Sequence, residues 1–290
     1  MELDRARRLG TIDPRGRQAL ISCGCALFNA RAALAAADIA CRVERFPHGP
    51  LKPLFAGLEA VPGNSTEADR GALADLDAVI DMRATNRTRY DDSDLPTALV
   101  DRLSAAAVAE GATLVAVHRP EHRLSVALLT KRADALQNAD PAYRAELRAW
   151  TTDDPARLDG VPALAVPHVD GHSGDEIPLR DFDTRGTGRL PAQTASSRRQ
   201  TILVIGTGGD DPIDWLRAGE AVERVLLEIT RRGYAAGPLT QALDVPETRD
   251  ALTGELGLSF HPQFLMRVGR AHGTAPTPRR ELADLLVEVD

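Results

Sequence analysis

Two stretches of this 290-residue chain follow one plan, and any fold must accommodate both. With Gly24 laid on Gly219, Ala26 falls on Ala221, Leu27 on Val222, Arg31 near Arg224, Leu34 on Ile229 and Ala40 on Ala235. Each stretch reads as a long helix running straight into an extended segment. The first helix is expected over 13–38, because Asp13 is a capping carboxylate ahead of Pro14 and Leu20, Leu27 and Leu34, with Ile21 and Phe28, recur every seven residues. The second is expected from Pro212 to Arg232, opened by Asp211. Helical periodicity alone would produce about half of this match, so duplication and coincidence both stand at this level.

The rest of the pattern is mixed. Ala40 to Phe46 alternates as a strand that Pro47, Gly49 and Pro50 end, and residues 1–9 alternate weakly as another. A polar break follows at 61–71. Helices are expected at Leu73–Met82, Leu95–Ala109, Leu124–Asn138, Tyr143–Trp150 and Arg249–Glu255, and strands at Thr113–His118, Thr201–Ile205 and Phe264–Val268, which makes the chain α+β. Residues 168–199, dense in Gly, Asp, Arg, Ser and Pro, have too few apolar side chains to build a core and read as disorder or a functional lid. The tail after Gly269 is Pro-rich and extended.

Composition narrows the function. With 43% apolar and 27% charged residues, the chain can offset its conformational entropy by burial, which excludes wholesale disorder. A net charge of -7 with no polybasic run argues against nucleic acid as a partner. The longest apolar stretch, Ala19 to Cys41, is interrupted by Asn29, Arg31 and Asp38, which argues against a membrane span, and the mixed-charge start MELDRARR has no secretory pattern, so a cytoplasmic location is expected. Cys23, Cys25 and Cys41 make neither a CxxC nor a zinc spacing and read as core thiols.

The most informative segment is RATNRTRY, Arg83 to Tyr90. Three arginines in seven positions, interleaved with Thr85, Asn86 and Thr88, supply forked donors and hydroxyls suited to phosphate oxygens. They would equally serve as a surface turn paired with Asp91, Asp92 and Asp94. Other motifs say less. GTGGDD (Gly206 to Asp211) lacks the third glycine of a dinucleotide fingerprint and reads as a turn. HVDGH (His168, Asp170, His172) offers no fourth ligand, so no metal is expected.

RATNRTRY followed by a helix resembles the phosphate-gripping Arg-x-Ser/Thr-x-Arg opening of nitroreductase-superfamily flavoproteins, with Arg83, Thr85 and Arg87 on the pattern and Asn86 between them. GYAAGPLTQ, Gly233 to Gln241, resembles the family segment that passes under the isoalloxazine and offers backbone N–H groups to its reactive nitrogen, here Pro238, Leu239, Thr240 and Gln241. FLMRVGR, Phe264 to Arg270, resembles the closing strand whose basic residues, Arg267 and Arg270, return to the phosphate. Closer still is the Acg-like branch, single chains of two fused nitroreductase halves, which DPRGRQALISCGCALFNARAAL, AYRAELRAWT, the segment Thr201 to Leu243 and the terminal PTPRR all resemble.

The resemblance implies a nitroreductase-like fold as an intrachain pseudo-dimer: residues 1–70 a remnant first half, and residues 71–290 a second half with the FMN phosphate motif and a lid-like loop at 168–199. It implies FMN as cofactor, NAD(P)H as electron donor, and a nitro compound, quinone or similar small molecule as acceptor. The alternative it leaves is a catalytically weak protein that sequesters flavin or regulates through it. One chain would suffice for the cofactor site, with a dimer still allowed. No side chain is implied as an acid or base, so no catalytic residue is assigned. Three departures stand out: branch members carry an APSxHNxQPWR-like segment ahead of the residues that begin here, the second Arg of the commoner RRTxR form is Ala84, and a Gly often found near the ring is Gln241.

Overall fold

The computed structural model describes residues 1–62, 67–87, 89–152, 154, 156–162, 165, 177–182, 200–271, 273 and 277–286. Its centre is the packing of α1 (Arg17–Ala36) on α6 (Pro212–Arg231), the two helices that the sequence echo aligns. They touch at the aligned glycines. A Cβ on Gly24 would lie 2.1 Å from the Leu216 carbonyl oxygen and 2.8 Å from the Gly219 Cα, and one on Gly219 would lie 2.0 Å from the Ile21 carbonyl oxygen. Above and below this contact, Leu20, Ile21, Leu27 and Phe28 of α1 and Trp215, Leu216, Ala218 and Leu227 of α6 are buried.

The two helices begin differently. At α6, Asp211 and Asp214 form a reciprocal capping box and Pro212 fills the first turn. At α1 the helix starts at Arg17 rather than near 13, because Gly16 turns the chain in with φ 74 and Asp13 caps from a distance, accepting the Ala19 N–H at 2.9 Å. By length and composition α1 is apolar enough to cross a membrane, so the polar interruptions do not exclude a span on that test. Eight of its positions are buried, Gly24 among them, in packing against α6 and in clusters with Phe55, Ala56 and Leu76.

A four-stranded antiparallel sheet of order β3-β6-β8-β7 carries the rest, with β3 Thr113–Ala116, β6 Thr201–Thr207, β7 Ala235–Pro238 and β8 His261–Gly269. Every residue of β6 is buried because the sheet is covered on both faces. Leu203 and Ile205 join a core with α3 (Thr97–Ala109) and α6. Ile202 and Val204, pointing the other way, join a core with α4 (Pro120–Ala139), α7 (Gln241–Asp244) and α8 (Pro246–Glu255). The strand β1 (Cys41–Arg45) pairs with β2 (Ala56–Ala60), and β4 (Thr151–Thr152) with β5 (Val161–Pro162).

Some boundaries differ from expectation. Residues 1–9 contribute only a single bridge, Glu2 with Leu54, before a 3-10 turn at Arg5–Arg7. The helix expected at Leu73–Met82 is α2, Glu67–Asp77, after which the chain turns and leaves Met82 exposed. α5 is Pro141–Ala149, capped by Asp140.

Candidate functional site

The segment Thr85–Arg87 lies along β7, the edge strand of the main sheet. Thr85 bridges Ala236 in parallel and the Asn86 N–H donates to the Ala236 carbonyl at 2.9 Å. Position 237 must be glycine for this approach, since a Cβ there would fall 2.2 Å from the Asn86 carbonyl oxygen. Tyr90 locks the turn: its hydroxyl donates to that same oxygen at 3.2 Å, its ring packs on Gly269, and the guanidinium of buried Arg267 sits 4.8 Å above it. The backbone of the motif is thus fixed by pairing with β7 and by one buried aromatic.

Arg87 is enclosed, and its Nη1 has no hydrogen-bond partner. Its guanidinium stands 5.9 Å from the Phe182 ring. Burial, and then the neighbouring Arg180, pull its pKa down to about 10, with Tyr90 opposing. Arg180 is held from three sides: it donates to Asp244 at 2.6 Å, to the Tyr143 hydroxyl, and to Thr240 Oγ1 at 3.4 Å. Asp244 also accepts from Gln18 at 2.9 Å and lies 3.9 Å from Arg17. Arg180 therefore joins Arg87 to both ends of α7, Thr240 and Asp244, and the sequence reading did not single it out.

The other expected residues are distributed unevenly. Arg83 has its Nε 3.0 Å from Glu223 Oε1 on α6, a carboxylate side chain only 2% exposed. Burial raises the Glu223 pKa while Arg83 and Asn29 oppose. Arg279, from the PTPRR tail, donates to the Arg83 carbonyl at 2.9 Å. Arg270 is exposed, its guanidinium 4.7 Å over Tyr234. Pro238 has no N–H, and the Leu239 N–H is already donated to the Leu265 carbonyl at 2.8 Å, which leaves the Thr240 and Gln241 amides as the donors that segment could offer a ligand. The Gln241 side chain is buried and donates to the Pro178 carbonyl at 3.4 Å.

Within the tract 168–199, residues 177–182 correct the expectation that nothing there can pack. Ile177 and Leu179 are buried in the core beneath α4 and α8, which turns Arg180 toward Asp244. The Ile177-x-Leu179 alternation was the available signal. His168, Asp170, His172 and the rest of that tract lie outside the described residues.

Asp134, on α4, adds a titration to this cluster. Burial raises its pKa from 3.8 to about 6, with Arg180 opposing and Asp181 adding. A carboxyl whose folded pKa lies above its unfolded one favours folding fully below pH 3.8 and loses that contribution as pH rises through about 6. Asp134→Asn should therefore flatten the fall in stability between those values and be more stable than the wild type at neutral pH. Urea unfolding at a series of pH values checks this, and parallel curves for the two proteins would refute it.

No family model matches the chain. Over 288 residues it is 34% identical to "Putative NAD(P)H nitroreductase Rv3131" of Mycobacterium tuberculosis, covering 96% of this chain and 80% of that protein. Over 290 residues it is 30% identical to "Putative NAD(P)H nitroreductase acg" of the same organism, covering 98% and 85%. Among solved structures it is similar to the FMN-dependent nitroreductase NfnB of Mycobacterium smegmatis in complex with NADPH, with 17% identity, 75% of this chain and 100% of that chain covered, and a TM-score of 0.44.

Proposed function

Because this chain belongs to the Acg-like branch of the nitroreductase superfamily, we propose that it binds FMN and passes hydride through it from NAD(P)H to a small-molecule acceptor, a nitro compound, a quinone or a similar oxidant. The observation that supports this best is Arg87, a half-buried cation whose Nη1 is shut off from solvent and lacks a partner. Burying a charge without a counter-ion is costly, and a phosphate monoester is the anion whose oxygens suit a guanidinium fork. The group fits the residues present. When bound, FMN supplies the two-electron carrier between donor and acceptor.

The chain's own residues then have distinct tasks. Arg87 and Arg180 hold the phosphate, Asp244 and Tyr143 keep Arg180 in place, Thr240 and Gln241 offer amide hydrogens to the ring, and Phe182 screens the cluster from water. In this reading residues 1–70 are the remnant of a first half and 71–290 the second, with the Gly24–Gly219 contact at their junction, and one chain completes the site. No side chain is required as acid or base.

A second reading, flavin storage or regulation, is favoured by the packing of Ile177 to Phe182 against the Arg87 and Gln241 side of the site. Titration of the purified chain with FMN, followed by NAD(P)H consumption with a nitroaromatic or a quinone, separates them. Saturable FMN binding with turnover is the expected result. Binding without any turnover would leave storage, and failure to bind FMN would end both readings.

A further inference from the structure

A cavity of about 400 Å³ opens between α1, β1, the end of α3 and α6, and shares no residue with the Arg87 cluster. Three guanidinium groups stand on its wall: Arg31 from α1, Arg45 from β1 and Arg224 from α6. Two carboxylates brace them: Glu110, which also lines the cavity, and Glu220 behind it, with side chains only 4% and 1% exposed. Arg31 Nη1 donates to both at 2.6 Å. Arg45 donates Nε and Nη2 to Glu220 at 2.7 and 2.9 Å, and Arg224 Nη1 donates to Glu110 at 2.7 Å.

This network does more than satisfy its carboxylates. Among the described residues of this network three positive charges face two negative ones, which leaves one positive charge in a partly enclosed space. Each guanidinium has five N–H donors, and the pairs just described use two on Arg45 at most through Nε and Nη2, leaving its Nη1 free of them, and use only Nη1 on Arg31 and Arg224. The three side chains remain 17%, 26% and 18% exposed, so the unused edges have access to the cavity. Because the carboxylates already brace the arginines, a ligand need not order them, which favours binding. The remaining wall includes apolar Ile39, Val43 and Leu73, and the volume is that of a small-ligand pocket.

We propose that this cavity binds a small organic monoanion, an aryl or alkyl carboxylate whose planar head lies between Arg31, Arg45 and Arg224 and whose apolar body rests on Ile39, Val43 and Leu73. A single negative charge completes the balance, whereas a phosphate dianion would exceed it. The fork geometry of guanidinium and carboxylate matches as well. This site is independent of the flavin reading.

Calorimetric titration of the full chain with benzoate tests it, with benzyl alcohol as the uncharged comparator and phenyl phosphate as the dianion. Benzoate is expected to bind with a Kd in about the millimolar range or tighter, and benzyl alcohol not at all. Arg45→Gln and Arg224→Gln should each weaken benzoate at least about tenfold, and Arg87→Ala should leave it unchanged. Ile39→Asp, at a position 40% exposed and outside the ion network, should weaken it too and guards against a fold defect in the arginine variants. The proposal is overturned if benzoate does not bind, if its binding survives the substitutions at 45, 224 and 39, if it is lost in Arg87→Ala, or if phenyl phosphate binds more tightly.

Discussion

Gly219→Val should destabilise the chain by about 3 kcal/mol or more, the upper part of the range for overpacking, and lower its melting temperature by roughly ten degrees. The reason is what the new side chain meets. Even a single Cβ at 219 would stand 2.0 Å from the Ile21 carbonyl oxygen and 2.8 Å from the Gly24 Cα, and both are helix backbone with no rotamer to give way. The only relief is to separate α1 from α6. That would open the packing of Leu20, Ile21, Trp215 and Ala218 on one side and of Phe28, Ala32 and Leu227 on the other.

A double-mutant cycle sharpens the test, because Gly24→Ala meets the same seam from the opposite helix. Once one substitution has forced the helices apart, the second should cost less, so the Gly24→Ala/Gly219→Val double variant should lose clearly less than the two single losses combined. Thermal melts followed by circular dichroism read both effects. A Gly219→Val protein melting within a few degrees of the wild type would mean the helices can part cheaply, and the seam would not be the rigid centre of the fold.

What could be read from the chain followed from where its signals are local. α6 was legible because Asp211, Pro212 and its apolar stripe all lie within one helix, and β6 because burial on both faces demands an unbroken run such as Thr201 to Ile205. β2, AGLEA, was not, since a short run without β-branching gives no strand signal; β7, AAGP, was marked only as the extended segment after the second echo helix, and its glycine and alanines admit the Asn86 backbone. The site divides the same way. The family resemblance put Arg83 and Arg87 on one phosphate, but the two leave an irregular turn beyond the end of α2 and meet different partners, Arg83 Glu223 and Arg87 the Phe182 ring and Arg180. Arg180 was invisible because its partners Tyr143, Thr240 and Asp244 are distant in sequence and nothing local marks it.

That division makes the arginines separable by experiment. Arg87→Ala should weaken FMN roughly ten- to 150-fold, the value of one charge-assisted hydrogen bond, and should leave the affinity for riboflavin, which has no phosphate, unchanged. The cofactor-free variant should be at least as stable as the wild type, because the removed group is a half-buried cation with an enclosed, unpartnered Nη1 and a pKa pulled down to about 10 by burial and by Arg180. Arg180→Lys keeps a charge beside Asp244 but loses the fork, so it too should lower FMN affinity selectively over riboflavin. Arg83→Ala should do the reverse: it strips the buried Glu223 of its ion-pair partner, so stability falls while the ratio of FMN to riboflavin affinity holds. Fluorescence titrations with the two flavins, alongside urea unfolding of each variant, give all of these quantities. If Arg83→Ala collapses the affinity ratio and Arg87→Ala does not, the phosphate sits on the Glu223 side of the turn, and the assignment of Arg87 and Arg180 as its ligands is wrong.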